Sequence, residues 1–111
     1  MELNEYQHTV QNFAFYPHDM GPYYTTFGMM DVVGQLAKKL KKALHDTDGE
    51  IDLKTKQLMT VQLGDLLYFI SNTATDLGVS MNDIATYNIR KLASAKEQKI
   101  MAEYKQNNNK K

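Results

Sequence analysis

Between Leu53 and Leu77, the apolar residues Leu58, Leu63, Leu66, Leu67, Ile70, Ala74 and Leu77 recur mostly at steps of three to five positions, the pattern of a helix with one buried stripe. No segment alternates apolar and polar residues with β-branched enrichment, so a sheet is excluded. The spacing predicts four helices. The first runs from about Glu5 to Phe15, with Asn4 and Gln7 as a capping box and Tyr16-Pro17 as its stop. The second opens on Pro22 behind Gly21, carries Met30, Val33, Ala37, Leu40 and Leu44 as its apolar stripe, and ends near His45. The third covers Leu53 to Leu77 and is closed by Gly78 as a left-handed cap. Ser80 and Asp83 start the fourth, in which Ile84, Tyr87, Leu92 and Ala95 face inward. Four helices on short loops make an all-α bundle over residues 1–98. Residues 99–111 form a basic, polar tail, expected to be frayed or disordered.

A chain of 111 residues is one domain with a core small enough that burial calls for a partner subunit, so a dimer or tetramer is expected. The 13 basic residues offset the 13 acidic ones, which argues against a general nucleic-acid coat or a polybasic membrane binder. The balance is local, because seven Lys or Arg face two Glu between Arg90 and Lys111. There is no cysteine for a disulfide or a thiolate metal site. No apolar run is long enough to span a membrane, and Met1-Glu2-Leu3-Asn4-Glu5 does not start a signal peptide. A cytoplasmic protein is expected.

The loop from His45 to Asp52 has the acidic character of a calcium loop but not its spacing. Counted from Asp46, the sixth position is Ile51 where glycine belongs, and the twelfth is Gln57 where a bidentate glutamate belongs. His8, His18 and His45 are too scattered for zinc, and no phosphate-cradling glycine loop is present. A more specific signal lies in two pairs of residues three apart. Gln62 and Asp65 share a face of the third helix, and Val32 and Gln35 share one of the second. Two helices can thus present two pairs to one cleft, an arrangement suited to carboxylates holding Mg²⁺, yet only Asp65 is a carboxylate.

The blocks Asn4-Glu5-Tyr6-Gln7, Tyr16-Pro17, Gly28-Met29-Met30-Asp31-Val32-Val33-Gly34-Gln35-Leu36-Ala37 through Lys41-Lys42, Gln62-Leu63-Gly64-Asp65-Leu66-Leu67-Tyr68, Leu77-Gly78-Val79-Ser80 and Asn88-Ile89-Arg90-Lys91-Leu92 stand in a telling order. In that order and spacing the chain resembles the short MazG-like branch of the all-α nucleoside triphosphate pyrophosphohydrolases, over most of Leu3 to Lys96. The resemblance implies an oligomeric helical fold and Mg²⁺-dependent cleavage of nucleoside triphosphates to monophosphate and pyrophosphate. It also places the family's metal-binding glutamate pair on Val32 and Gln35, and its Glu-x-x-Asp on Gln62 and Asp65. Three of those four carboxylates are missing here, so Asp65 is the one retained metal position and the metal clamp has no evident holder. Asp31 is the nearest substitute, about 100° around the helix from Val32.

The same loss suits a different activity, because amides and lysines accept a phosphate directly where a carboxylate cluster repels it. The resemblance places Lys41, Lys42, Asn88 and Lys91 near nucleotide phosphates, and Tyr16, Tyr23, Tyr24 and Tyr68 are candidates to stack a base. The expectation is a degenerate relative of the enzymes, one that binds a nucleotide or nucleotide-derived signal as a sensor or sponge and needs no cofactor. A weak hydrolase using Mg²⁺ through Asp65 and Asp31, and a helical interaction module with a vestigial pocket, are the alternatives. Short, single-domain members of this family occur in phages.

Overall fold

In a computed structural model that describes residues 1–109, the chain is built on an antiparallel hairpin of two long helices, α2 (Gly21–Thr47) and α3 (Leu53–Leu77). Their partners run in opposite order: the Thr73 hydroxyl donates to Thr25 Oγ1 at 2.7 Å, and the Gln62 amide donates to Gln35 Oε1 at 2.7 Å. A short helix, α1 (Leu3–Val10), continues as a 3-10 turn at Gln11–Phe13 and packs on α3. A second 3-10 turn, His18–Met20, leads into α2, and α4 (Met81–Asn109) follows α3. No strand occurs among the described residues. The glycine that lets the two long helices meet is Gly28, where an added Cβ would lie 2.5 Å from the Phe69 ring.

The acidic loop between α2 and α3 is helix punctuation. Asp48 at φ 54° and Gly49 at φ 86° end α2, with the Gly49 N–H donating to Ala43 O at 3.0 Å. Asp52 then caps α3, its Oδ1 accepting from the Thr55 N–H at 2.7 Å. That hydrogen bond is the main reason the Asp52 carboxyl titrates below its ordinary range. Gly78, at φ 75°, closes α3 as the sequence predicts.

The Asn4/Gln7 capping box does not form on its own helix. Glu2 precedes α1 without a side-chain cap, and the two side chains reach across to the start of α4 instead. The Met81 N–H donates to Gln7 Oε1 at 2.8 Å and the Asn82 N–H to Asn4 Oδ1 at 3.0 Å. The Asp83 N–H donates to Ser80 Oγ at 3.0 Å, and the Ile84 N–H to Ser80 O at 3.1 Å. The three amide donors of the first turn, those of Met81, Asn82 and Asp83, are therefore satisfied by side chains, two of them from residues more than 70 positions away. Gln7 also donates to Val79 O at 2.9 Å, so one buried amide ties α1 to the α3–α4 corner.

The interior is small and largely polar. Tyr16, Val32, Ala74 and Met81 are buried with Gln7, Thr25, Gln62, Ser71 and Asn72. Most of the residues expected in the core are outside it. Leu58, Leu63, Leu77, Val33, Leu40 and Leu44 are exposed, and of the third helix's predicted core only Ala74 is fully buried. Ile84, Tyr87 and Leu92, expected to face inward, are exposed too, because α4 packs on α1 and runs on to Asn109 away from the hairpin. Of the tail, Lys110 and Lys111 lie outside the described residues. The radius of gyration is 19.3 Å, against roughly 13 Å for a compact domain of this length.

Gln7→Ala removes an acceptor and a donor together and leaves the Met81 N–H and Val79 C=O without partners. We expect a loss of roughly 2 kcal/mol, read as a lower midpoint in denaturant at unchanged slope. Asn4→Ala, at the exposed edge of the same corner, is expected to lower the midpoint by less.

Candidate functional site

The four positions to which the resemblance gives the metal fall along the α2–α3 seam. Gln35 sits between two partners: its Nε2 donates to Asp31 Oδ2 at 3.0 Å, and its Oε1 accepts from Gln62 Nε2 at 2.7 Å. The carboxylate sets the direction of this relay, since Asp31 only accepts and so fixes which end of each amide faces which. Gln62 Oε1 is thereby left buried without a donor. Val32 is buried at 6% exposure and contributes only packing. Asp65 is exposed, and its charge adds to burial in pushing the Tyr6 phenol above its ordinary range.

These residues do not fit Mg²⁺. A hard dication takes several oxygen ligands, mostly charged, and here the seam offers two neutral amides, a valine and one exposed carboxylate. Asp31 is already engaged by Gln35. Among the described residues no three His, Cys, Asp or Glu side chains converge on a common point. The amide-to-amide bond between Gln62 and Gln35 ties α2 to α3 at this point of the seam.

Charge of the other sign gathers one turn further along α2. An open cavity of about 770 Å³ is lined by Gln35, Lys38, Lys39, Lys41, Lys42, His45 and Asp46. Its four lysines face a single carboxylate, and Asp46 Oδ1 is itself 2.7 Å from His45 Nδ1. A neighbouring cavity of about 440 Å³ carries Lys39, Lys42 and Lys54 against Asp46, Glu50 and Asp52, so its charges cancel. Only the first offers an anion a net positive wall. Lys41 and Lys42 were legible as candidates, whereas Lys38, Lys39 and His45 were not singled out, although Lys38 and Lys39 stand three and four residues beyond Gln35 on a shared face.

The remaining candidates are elsewhere. Asn88 and Lys91 are exposed on α4 and line neither lysine cavity. The tyrosines gather at the opposite end of α2, where the Tyr16 and Tyr24 rings stack at 4.9 Å and the Tyr68 hydroxyl donates to Phe13 O at 2.8 Å. Tyr24 and Lys38 are 14 residues apart, about 21 Å along the helix axis, so a base on the tyrosines and a phosphate on the lysines belong to different ligands. Tyr16 is buried and donates to Asp76 Oδ2 at 2.7 Å, which pins the loop before α2 onto α3.

Burial first, and then the bond to Asp76, hold the Tyr16 phenol far above its ordinary value of 10.0. A group raised in the folded state contributes stability that is complete below the unfolded pKa and is lost as pH rises toward the folded one. Stability should therefore fall with alkali above about pH 10, and Tyr16→Phe should make that fall shallower in denaturant titrations run across the range. A Tyr16→Phe profile identical to wild type would contradict the assignment.

The chain is 29% identical over 107 residues to the Gene 37 protein of Mycobacterium phage L5, an alignment covering 91% of this chain and 94% of that protein. No protein-family profile and no solved structure matches it.

Proposed function

We propose that this chain is an oligomeric, MazG-like helical protein that has lost the metal-dependent site and binds the phosphates of a nucleotide or nucleotide-derived signal without cleaving it, as a sensor or sponge. The observation that carries the reading is the cavity beside Gln35, where four lysines meet one carboxylate. An anion entering it meets cation density directly, and no metal has to intervene. The seam beside it supports the non-cleaving part. Hydrolysis by this chemistry needs a held metal to polarise the phosphate and activate water, and Gln35, Gln62 and Val32 hold none. The lysines, rather than the tyrosine cluster, are the phosphate-facing element, and Asp65 is left without a catalytic partner.

The test is calorimetric titration with a panel of nucleoside triphosphates. Lys41→Ala and Lys42→Ala are each expected to weaken binding roughly tenfold, about 1.4 kcal/mol, and added salt should weaken wild type more than either variant. Pyrophosphate release with Mg²⁺ or Mn²⁺ is expected to be absent. Val32→Glu, Gln35→Glu and Gln62→Glu combined should create Mn²⁺ binding that wild type lacks. Brisk hydrolysis by wild type, abolished by Asp65→Ala, would replace this reading with an enzymatic one.

A further inference from the structure

The last helix, α4, runs for 29 residues from Met81 to Asn109, yet only Met81, Ala85 and Thr86 on it are shielded from solvent even in part. Every side chain from Tyr87 to Asn108 is exposed. This free length also carries the chain's charge imbalance. Before Arg90, six lysines stand among eleven carboxylates, and from Arg90 on, seven Lys or Arg face two glutamates. The overall neutrality that argues against a nucleic-acid coat is therefore the sum of an acidic body and a basic arm. Among the described residues, no carboxylate forms an ion pair with a cation of that arm.

The arm has a patterned face. At 100° per residue, Asn88, Ala95, Gln98, Ala102 and Gln106 fall within about 40° of one line along the helix. Lys91 and Lys105 flank that line on one side and Lys99 and Lys96 on the other, whereas Glu97 and Glu103 lie about 100° or more away. We propose that α4 is a DNA-binding arm that lies in the major groove of double-stranded DNA with this face inward. The groove admits a helix, Asn and Gln amides pair with adenine edges, and alanine sits against thymine methyls. Lysines on both flanks reach phosphates on the two walls. A protein partner would need an apolar centre to pack on, and between Asn88 and Gln106 the line offers nothing apolar beyond alanine. An anionic membrane suits the helix no better. The apolar strip on its far side, Ile89, Ala93, Ile100 and Tyr104, is bordered by the two glutamates, which such a surface repels. The proposal goes beyond the phosphate reading of the α2 lysines and does not depend on it.

Fluorescence anisotropy of a short labelled DNA duplex of mixed sequence, titrated with the full-length, nucleotide-free protein, tests it. Binding is expected with a dissociation constant on the order of 10 μM at low salt, and log affinity should fall against log salt with a slope of about −3 or steeper. Lys91→Gln with Lys99→Gln, one from each flank, should weaken binding roughly tenfold or more and make the slope shallower by about two. Lys54→Gln with Lys56→Gln removes the same charge at the start of α3 and should change neither. Gln98→Glu, at the centre of the face, should weaken binding roughly tenfold, and Tyr104→Glu, on the far side, much less. All six positions are exposed, so helical circular dichroism should be retained throughout. Single-stranded DNA, duplex RNA, whose major groove is too narrow for a helix, and vesicles of phosphatidylcholine with phosphatidylserine should each bind more weakly than the DNA duplex. Four results overturn the proposal: no binding of the DNA duplex, an equal loss from the Lys54 and Lys56 pair, an equal loss from Gln98→Glu and Tyr104→Glu, or equal or tighter binding of any of the other three probes.

Discussion

The contact between α2 and α3 is what the other elements depend on, and it is closed largely by polar groups. Thr25 meets Thr73, Gln35 meets Gln62, and Ser71 and Asn72 are buried nearby, while much of the chain's leucine stays in solvent. Each such hydrogen bond adds only about 1 kcal/mol net, against the several that burying leucines would contribute. A hairpin held this way has defined geometry and little hydrophobic stabilisation.

The Asp31–Gln35–Gln62 relay connects that constraint to chemistry. With glutamates at 35 and 62 the seam would place like charges side by side, and a cation would be needed to hold it shut. With amides the seam shuts itself, at the expense of one buried acceptor, Gln62 Oε1, that finds no donor. Amides at positions 35 and 62 thus form an interhelical bond that a pair of carboxylates could not. The wall beside Gln35 sets four lysines against one carboxylate and is electropositive, while the cavity next to it, toward the loop, is balanced by Asp46, Glu50 and Asp52.

Much of the fold could be read from the sequence because its signals are local. The bounds of α3 and its Gly78 cap follow from periodicity and from a glycine at positive φ. The 3.6-residue period says that a stripe is apolar but not which object covers it, so Met30, Val33, Leu40 and Leu63 read as core when they lie on the surface of a single chain. Asn4 and Gln7 show the same limit. Their spacing is that of a capping box, and they do cap a helix, but one more than 70 residues away. For the site, spacing paired Val32 with Gln35 on one helix and Gln62 with Asp65 on the other; in the structure Gln35 and Gln62 meet. Spacing could not show that they bond, that Asn88 and Lys91 lie away from the lysine cavities, or that the tyrosines occupy the far end of α2, because each depends on where α1 and α4 dock.

The account turns on how phosphate charge is met, and the sign of a metal effect decides it. The measurement is the affinity of a nucleoside triphosphate for the unmodified protein, with Mg²⁺ and then with excess EDTA. If lysines meet the charge, removing Mg²⁺ leaves affinity unchanged or slightly improved, since the free anion carries more charge into the cavity. If affinity collapses in EDTA, the seam still works through a metal, and the account is wrong.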